Sequence, residues 1–207
     1  MSTPPLESET LRRGAQPDDF RAREFQELRA TIRGRGHVRV IVTVLTFVSW
    51  AALAATLSEP FPPFALVPLL VLAAGFEVVY AVHVSVERIG RYLFVFYEGP
   101  AEMPKWETAI AAFGQSAAAR STGGSALFLP AFLLAAALNL LLAWAVSGHA
   151  ADAPGPLVVG ALAAAHGIFV TRLVIARARA RRQRELDTAE FRSIAAGLDG
   201  EWSPKSN

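Results

Sequence analysis

Glu77, Asn139, His166 and Arg172 are the residues of this chain best placed to do chemistry, because each is a polar group inside a long apolar run. An ionised side chain surrounded by hydrocarbon is costly, so Glu77 must carry a proton, pair with a cation or face a wet cavity. Asn139 can donate and accept at once, and an imidazole such as His166 can relay a proton or ligate a metal. Three kinds of chemistry follow. One is a proton or ion path through Glu77, Asn139 and His166. Another is hydrogen bonding and ion pairing between helices, which is the commoner use of such groups. The third is a haem, pigment or metal bound at His37, His83 or His166, and the sequence shows no supporting second ligand for it.

Catalysis has less to stand on. The chain has no cysteine, which removes disulfides, thiolate metal sites and thiol nucleophiles. HExxH, GxSxG, P-loop and GxGxxG patterns are all missing, and Ser49, Ser85 and Ser147 each lack a base at a suitable offset. Glu77 and His166, the one conceivable acid–base pair, differ by about 7 Å in membrane depth. The expectation is a protein that is not an enzyme, with no cofactor assigned.

Those residues are carried by four apolar runs, at about 38–57, 62–83, 126–147 and 156–176. Each is close to the roughly 20 residues, or ~30 Å, that a helix needs to cross a bilayer core. With 53% apolar residues and a mean hydropathy of +0.34, residues 37–176 read as one transmembrane domain. Short turns at 58–63 and 148–155 predict two antiparallel hairpins. Thr43, Thr46 and Ser49 recur at helical spacing, and Ala51 and Ala55 form a small-xxx-small pair, both signs of close helix packing. Pro68 falls early in the second run, where a missing N–H costs least.

Helical extensions are expected beyond the runs. The second leaves the membrane through His83, Glu87, Arg88 and Arg91 and an aromatic stretch that stops at Gly99-Pro100. The fourth continues through Arg177, Arg179, Arg181, Arg182 and Arg184 to Phe191 and Ile194, with Gly197 and Gly200 as its stop. Residues 1–17 read as a disordered tail without signal-peptide features. Residues 18–36 read as a cytoplasmic amphipathic helix with Phe25, Leu28 and Ile32 on one face, broken at Gly34-Arg35-Gly36. That face should lie on the membrane surface or on the cytoplasmic part of the protein itself. Within the cytoplasmic segment 84–125, a short interfacial helix from Pro104 presents Trp106, Ile110 and Phe113 to the headgroup layer, followed by a flexible linker. Residues 177–207 complete the chain as a basic helix and tail.

Charge sets the orientation. Eight Lys or Arg lie up to Arg39, four between the second and third runs, and eight from Arg172 onward, while the two outer turns hold none. Cation bias in short flanking segments keeps its side cytoplasmic, so both termini and the middle loop are expected inside, in the cytoplasmic (inner) membrane. Arginine supplies 18 of the 20 cations. A GC-rich genome accounts for that bias more readily than phosphate binding does.

Depth then pairs the polar residues. With each run centred on the bilayer, Asn139 and His166 fall within about 2 Å of the midplane, and Glu77 and Arg172 about 7 and 9 Å inward of it. His37 and His83 share the cytoplasmic interface at roughly 16 Å. The matched pairs are Asn139–His166, Glu77–Arg172 and His37–His83. A faint similarity between residues 73–76 (AAGF) and 164–167 (AAHG) is best explained by alanine content.

The expectation is an all-α membrane protein of four transmembrane helices in two hairpins, with cytoplasmic helical extensions and amphipathic interfacial helices. Its expected role is a non-catalytic structural, scaffold or regulatory subunit of a larger membrane complex, with a protein partner or a second copy in the membrane. The alternative is a small oligomeric ion channel or transporter using Glu77, Asn139 and His166. Anionic lipid is the expected contact of Arg177, Arg179, Arg181, Arg182, Arg184 and Trp106. Nucleic acid is not expected, because Glu185, Asp187 and Glu190 dilute the basic run.

Overall fold

The computed structural model describes residues 17–56, 66–97, 128–147 and 155–201. The N-terminal tail, the outer turns at 58–63 and 148–154, and the interfacial helix with Trp106 lie outside the described residues. Four helices account for the rest: α1 Pro17–Thr56, α2 Leu66–Phe96, α3 Phe128–Ser147 and α4 Pro156–Glu201.

Each helix contains a stretch long and apolar enough to cross a membrane. Much of that apolar surface points away from the protein: Val48, Leu70, Leu141 and Ile168 are all more than half exposed. Contiguous apolar surface on this scale is not sustained in water. The chain is an all-helical, multi-pass membrane protein.

Length separates the helices into two kinds. At ~1.5 Å per residue, the 20 residues of α3 cover about 30 Å, which is the span and nothing more. The 40 of α1, 31 of α2 and 46 of α4 reach about 60, 46 and 69 Å. The surplus gathers at one end. Phe25 of α1 meets Tyr97 just past α2, and Tyr92 of α2 meets Phe191 of α4. Contact partners descend on α2 as they ascend on α1 (Phe25–Tyr97, Arg39–His83, Thr46–Gly75), so these two helices run antiparallel. On α2 and α4 they ascend together (Glu77–Arg172, Glu87–Arg184, Tyr92–Phe191), so these run parallel. Among the described residues, a four-helix apolar section is thus continued by a three-helix polar one.

The core lies where all four helices meet. Leu72, Phe132 and Leu173 are fully buried there with Phe76 and Phe169. Phe132 is the hub, 5.0 Å from the ring of Phe47 and 5.4 Å from that of Phe76. Ala135, Ala136 and Ala143 are buried on the same helix, and small residues of this kind let helices approach closely where lipid gives no hydrophobic drive to association.

Three expectations are corrected. Gly34-Arg35-Gly36 does not break α1, which runs unbroken through residues 18–36 and into the first span. Two glycines cost roughly 1 kcal/mol each in a helix. Bonds from Arg35 to Ser85 and from Arg39 to His83 fasten this stretch of α1 to α2 and offset that cost. Gly197 likewise does not stop α4, whose described residues run to Glu201, one past Gly200. Finally, the packing face of α1 is Arg39, Thr43, Thr46 and Trp50. Thr43 and Thr46 are buried, whereas Ser49, Ala51 and Ala55 are exposed and take no part.

Candidate functional site

Four polar clusters join the helices, from mid-membrane to the far end of the extensions. The deepest links α1, α3 and α4. The indole N–H of Trp50 donates to Asn139 Oδ1 at 3.3 Å, and Asn139 Nδ2 donates to His166 Nε2 at 3.1 Å. His166 Nδ1 donates to the carbonyl of Leu162 at 2.8 Å. These bonds fix one another. A carbonyl only accepts, so Nδ1 carries the proton and Nε2 keeps its lone pair for the amide. Placing a proton on Nε2 would require Asn139 to turn its NH2 towards the indole N–H, donor against donor.

One to two turns further in, Arg172 Nη2 donates to Glu77 Oε2 at 2.7 Å and joins α4 to α2. The guanidinium also lies 5.1 Å from the centroid of Tyr80 and 6.0 Å from that of Phe76. Among the described residues its Nη1 has no hydrogen-bond acceptor, and the ring faces take that place.

The third cluster sits where the apolar section ends. His83 Nδ1 lies 3.2 Å from Arg39 Nη1, and His83 Nε2 lies 3.3 Å from the carboxylate of Glu87. Glu87 also accepts from Arg91 Nη1 at 3.3 Å and from Arg184 Nε at 2.9 Å and Nη2. Asp187 accepts from Arg91 Nη2 at 2.7 Å, Arg91 Nε at 3.2 Å and Gln183 at 2.6 Å. The side chains of Arg91 and Asp187 are only 11% and 10% exposed, so this is a shielded network rather than a surface pair. Burial alone would raise both carboxyls. Hydrogen bonds from Arg184 to Glu87, and from Arg91 and Gln183 to Asp187, outweigh it and hold both below the ordinary carboxylate range.

A pH dependence follows from those shifts. A carboxyl held lower in the folded protein contributes stability above its unfolded value, and that contribution disappears as pH falls through the folded one. Thermal stability in detergent should therefore develop an acid limb below about pH 4. Glu87→Gln with Asp187→Asn should flatten that limb while lowering the neutral plateau. A limb unchanged by the two substitutions would show that these groups do not drive it.

The fourth cluster closes the far end. Glu24 of α1 accepts from Tyr92 at 2.9 Å and from Tyr97. Arg21 Nη2 donates to the terminal carbonyl of α2 at Phe96, 3.1 Å away, and its guanidinium lies over the Tyr97 ring. Burial and the bond to Glu24 push the Tyr97 phenol up, so it stays a donor. Of the face expected on residues 18–36, Phe25 meets Tyr97, with 5.6 Å between ring centroids.

Two of the three depth-matched pairs meet, Asn139–His166 and Glu77–Arg172. His37 and His83 do not: His37 is exposed on α1, and His83 turns to Arg39 and Glu87. Both ring nitrogens of His83 and of His166 are engaged, and no cluster of three metal-binding side chains occurs among the described residues. Among the basic residues of α4, Arg177, Arg179, Arg181 and Arg182 are exposed, while Arg184 is tied to Glu87. Trp50, Arg39, Glu87, Arg91 and Asp187 were not singled out from sequence as one site. The spacing His83–Glu87–Arg91, one helical turn at each step, was a usable signal.

Comparison with protein-family models, with curated proteins and with solved structures finds no match to this chain.

Proposed function

We propose that this protein is a non-catalytic subunit of a larger membrane complex, with a structural, scaffold or regulatory role. The observation that carries the reading is the use made of its membrane-embedded polar groups. Asn139, His166, Glu77 and Arg172 each bond to a side chain of a neighbouring helix. The donor–acceptor order from Trp50 to Leu162 leaves His166 no vacant position for a relayed proton. Such bonds fasten helices, each contributing about 0.6–2 kcal/mol.

The protein is placed in the cytoplasmic membrane as two hairpins, with both termini and the α2–α3 segment inside. Support comes from the cations, since the extensions of α1, α2 and α4 gather at the same end as the arginines. Exposed Arg177, Arg179, Arg181 and Arg182 then meet anionic headgroups, at roughly 1 kcal/mol per cation. Cysteines introduced at Ser58 and Ala151, in a chain that has none, should react with an impermeant maleimide in intact cells. Labelling seen only after lysis would reverse the topology.

A second reading, a small oligomeric channel or transporter, draws on one observation. The Glu77 side chain is about half exposed at membrane depth, as a pore-lining carboxylate would be. Flux separates the two. In vesicles holding an ion or pH gradient, the purified protein should leak no faster than empty vesicles. A flux that Glu77→Gln abolishes would replace the subunit reading with the channel.

A further inference from the structure

Of the polar groups at membrane depth, Asn139 and His166 are buried, whereas Glu77 and Arg172 are not. Their side chains are 48% and 32% exposed, although the ion pair they form is only 2.7 Å long. Around Glu77 the same face of α2 carries exposed Leu70, Ala74, Val78 and Ala81, and around Arg172 that of α4 carries exposed Ile168 and Ile175. The pair is therefore open on one side and framed by apolar or small residues. In hydrocarbon it keeps much of the desolvation penalty of both ions, and only a polar cover relieves it.

Resting on the subunit reading above, we infer that this face is the contact between two copies of this chain, related by a two-fold axis along the membrane normal. The pair is electrically neutral, so it recruits neither a lipid phosphate nor a free cation. It is complementary to itself. Glu77 and Arg172 lie on parallel helices at nearly the same depth, within about 2 Å, so the two charges stand side by side. A two-fold rotation about the membrane normal reverses left and right on a face set against itself. Each Glu77 then stands opposite Arg172 of the other copy, and four alternating charges close on one another. Both copies keep the same orientation in the bilayer, and the contact is isologous and self-limiting. Ala74 and Ala81, one turn to either side of Glu77, leave room for the helices to approach.

The test uses the full chain in its native membrane. Ala74→Cys and Ala81→Cys, made separately and oxidised with copper phenanthroline, should each give a covalent dimer. Val48→Cys, on the exposed face of α1, should give none. Adding Glu77→Arg to Ala74→Cys sets cations against cations and should lower dimer yield at least tenfold, and Arg172→Glu on top should restore it. Equal cross-linking at Val48→Cys, or a yield indifferent to Glu77→Arg, would mean random collision and overturn the contact. No cross-link, with a native-gel mass above one chain, would overturn the two-copy contact and leave the subunit reading standing with a different partner. No cross-link and a mass of one chain would overturn both.

Discussion

Arg172→Leu alone should lower the stability of the protein in detergent by on the order of 2–3 kcal/mol, the cost of a charge left without its partner at this depth. Arg172 Nη2 lies 2.7 Å from the Glu77 carboxylate, and removing it strands that carboxylate on an apolar face. Glu77→Gln should cost a similar amount, because the guanidinium already packs beside the rings of Phe76 and Tyr80 and cannot leave without breaking that packing. The double variant Glu77→Gln, Arg172→Leu should recover much of the loss. Thermal unfolding of the four proteins measures the coupling directly. Losses that simply add would mean that the contact contributes nothing. Arg172 would then reach towards the membrane surface at the end of the apolar run, only about four residues away along α4.

Gly75→Ala should be nearly as damaging, by about 1–3 kcal/mol, for a different reason. A Cβ at position 75 would lie 2.1 Å from Thr46 Oγ1, 2.3 Å from its Cγ2 and 2.7 Å from its Cβ. The last atom is fixed to the backbone, so the helices themselves must move apart. Thr46 is also held in its rotamer by a 2.7 Å bond from Oγ1 to the carbonyl of Val42. Adding Thr46→Ala removes the two nearest atoms and should recover part of the loss. Gly160→Ala and Gly167→Ala meet nothing within 4 Å and should be neutral or slightly stabilising, as alanine is the better helix former. Comparable melting of Gly75→Ala and Gly167→Ala would sink the idea that Gly75 lets α1 pack directly on α2.

Much of this architecture was legible in the residues alone. Hydrocarbon demands a run of apolar side chains of one length, and four such runs occur, so helix number and position followed. The rise of ~1.5 Å per residue turned sequence position into depth, and depth matched Asn139 to His166 and Glu77 to Arg172. Depth says nothing of rotation about a helix axis. For that reason His37 and His83, equally well matched, face different ways. Ser49, Ala51 and Ala55 look like packing residues and yet are exposed, because lipid and protein interior accept the same apolar side chains. Only the tertiary structure decided that α1 stays helical across Gly34 and Gly36. Bonds to α2 from Arg35 and Arg39 outweigh a local preference worth about 1 kcal/mol per glycine. It likewise decided that Glu24, Glu87 and Asp187 work as fasteners. Their partners on other helices lie 68 to 97 residues away along the chain.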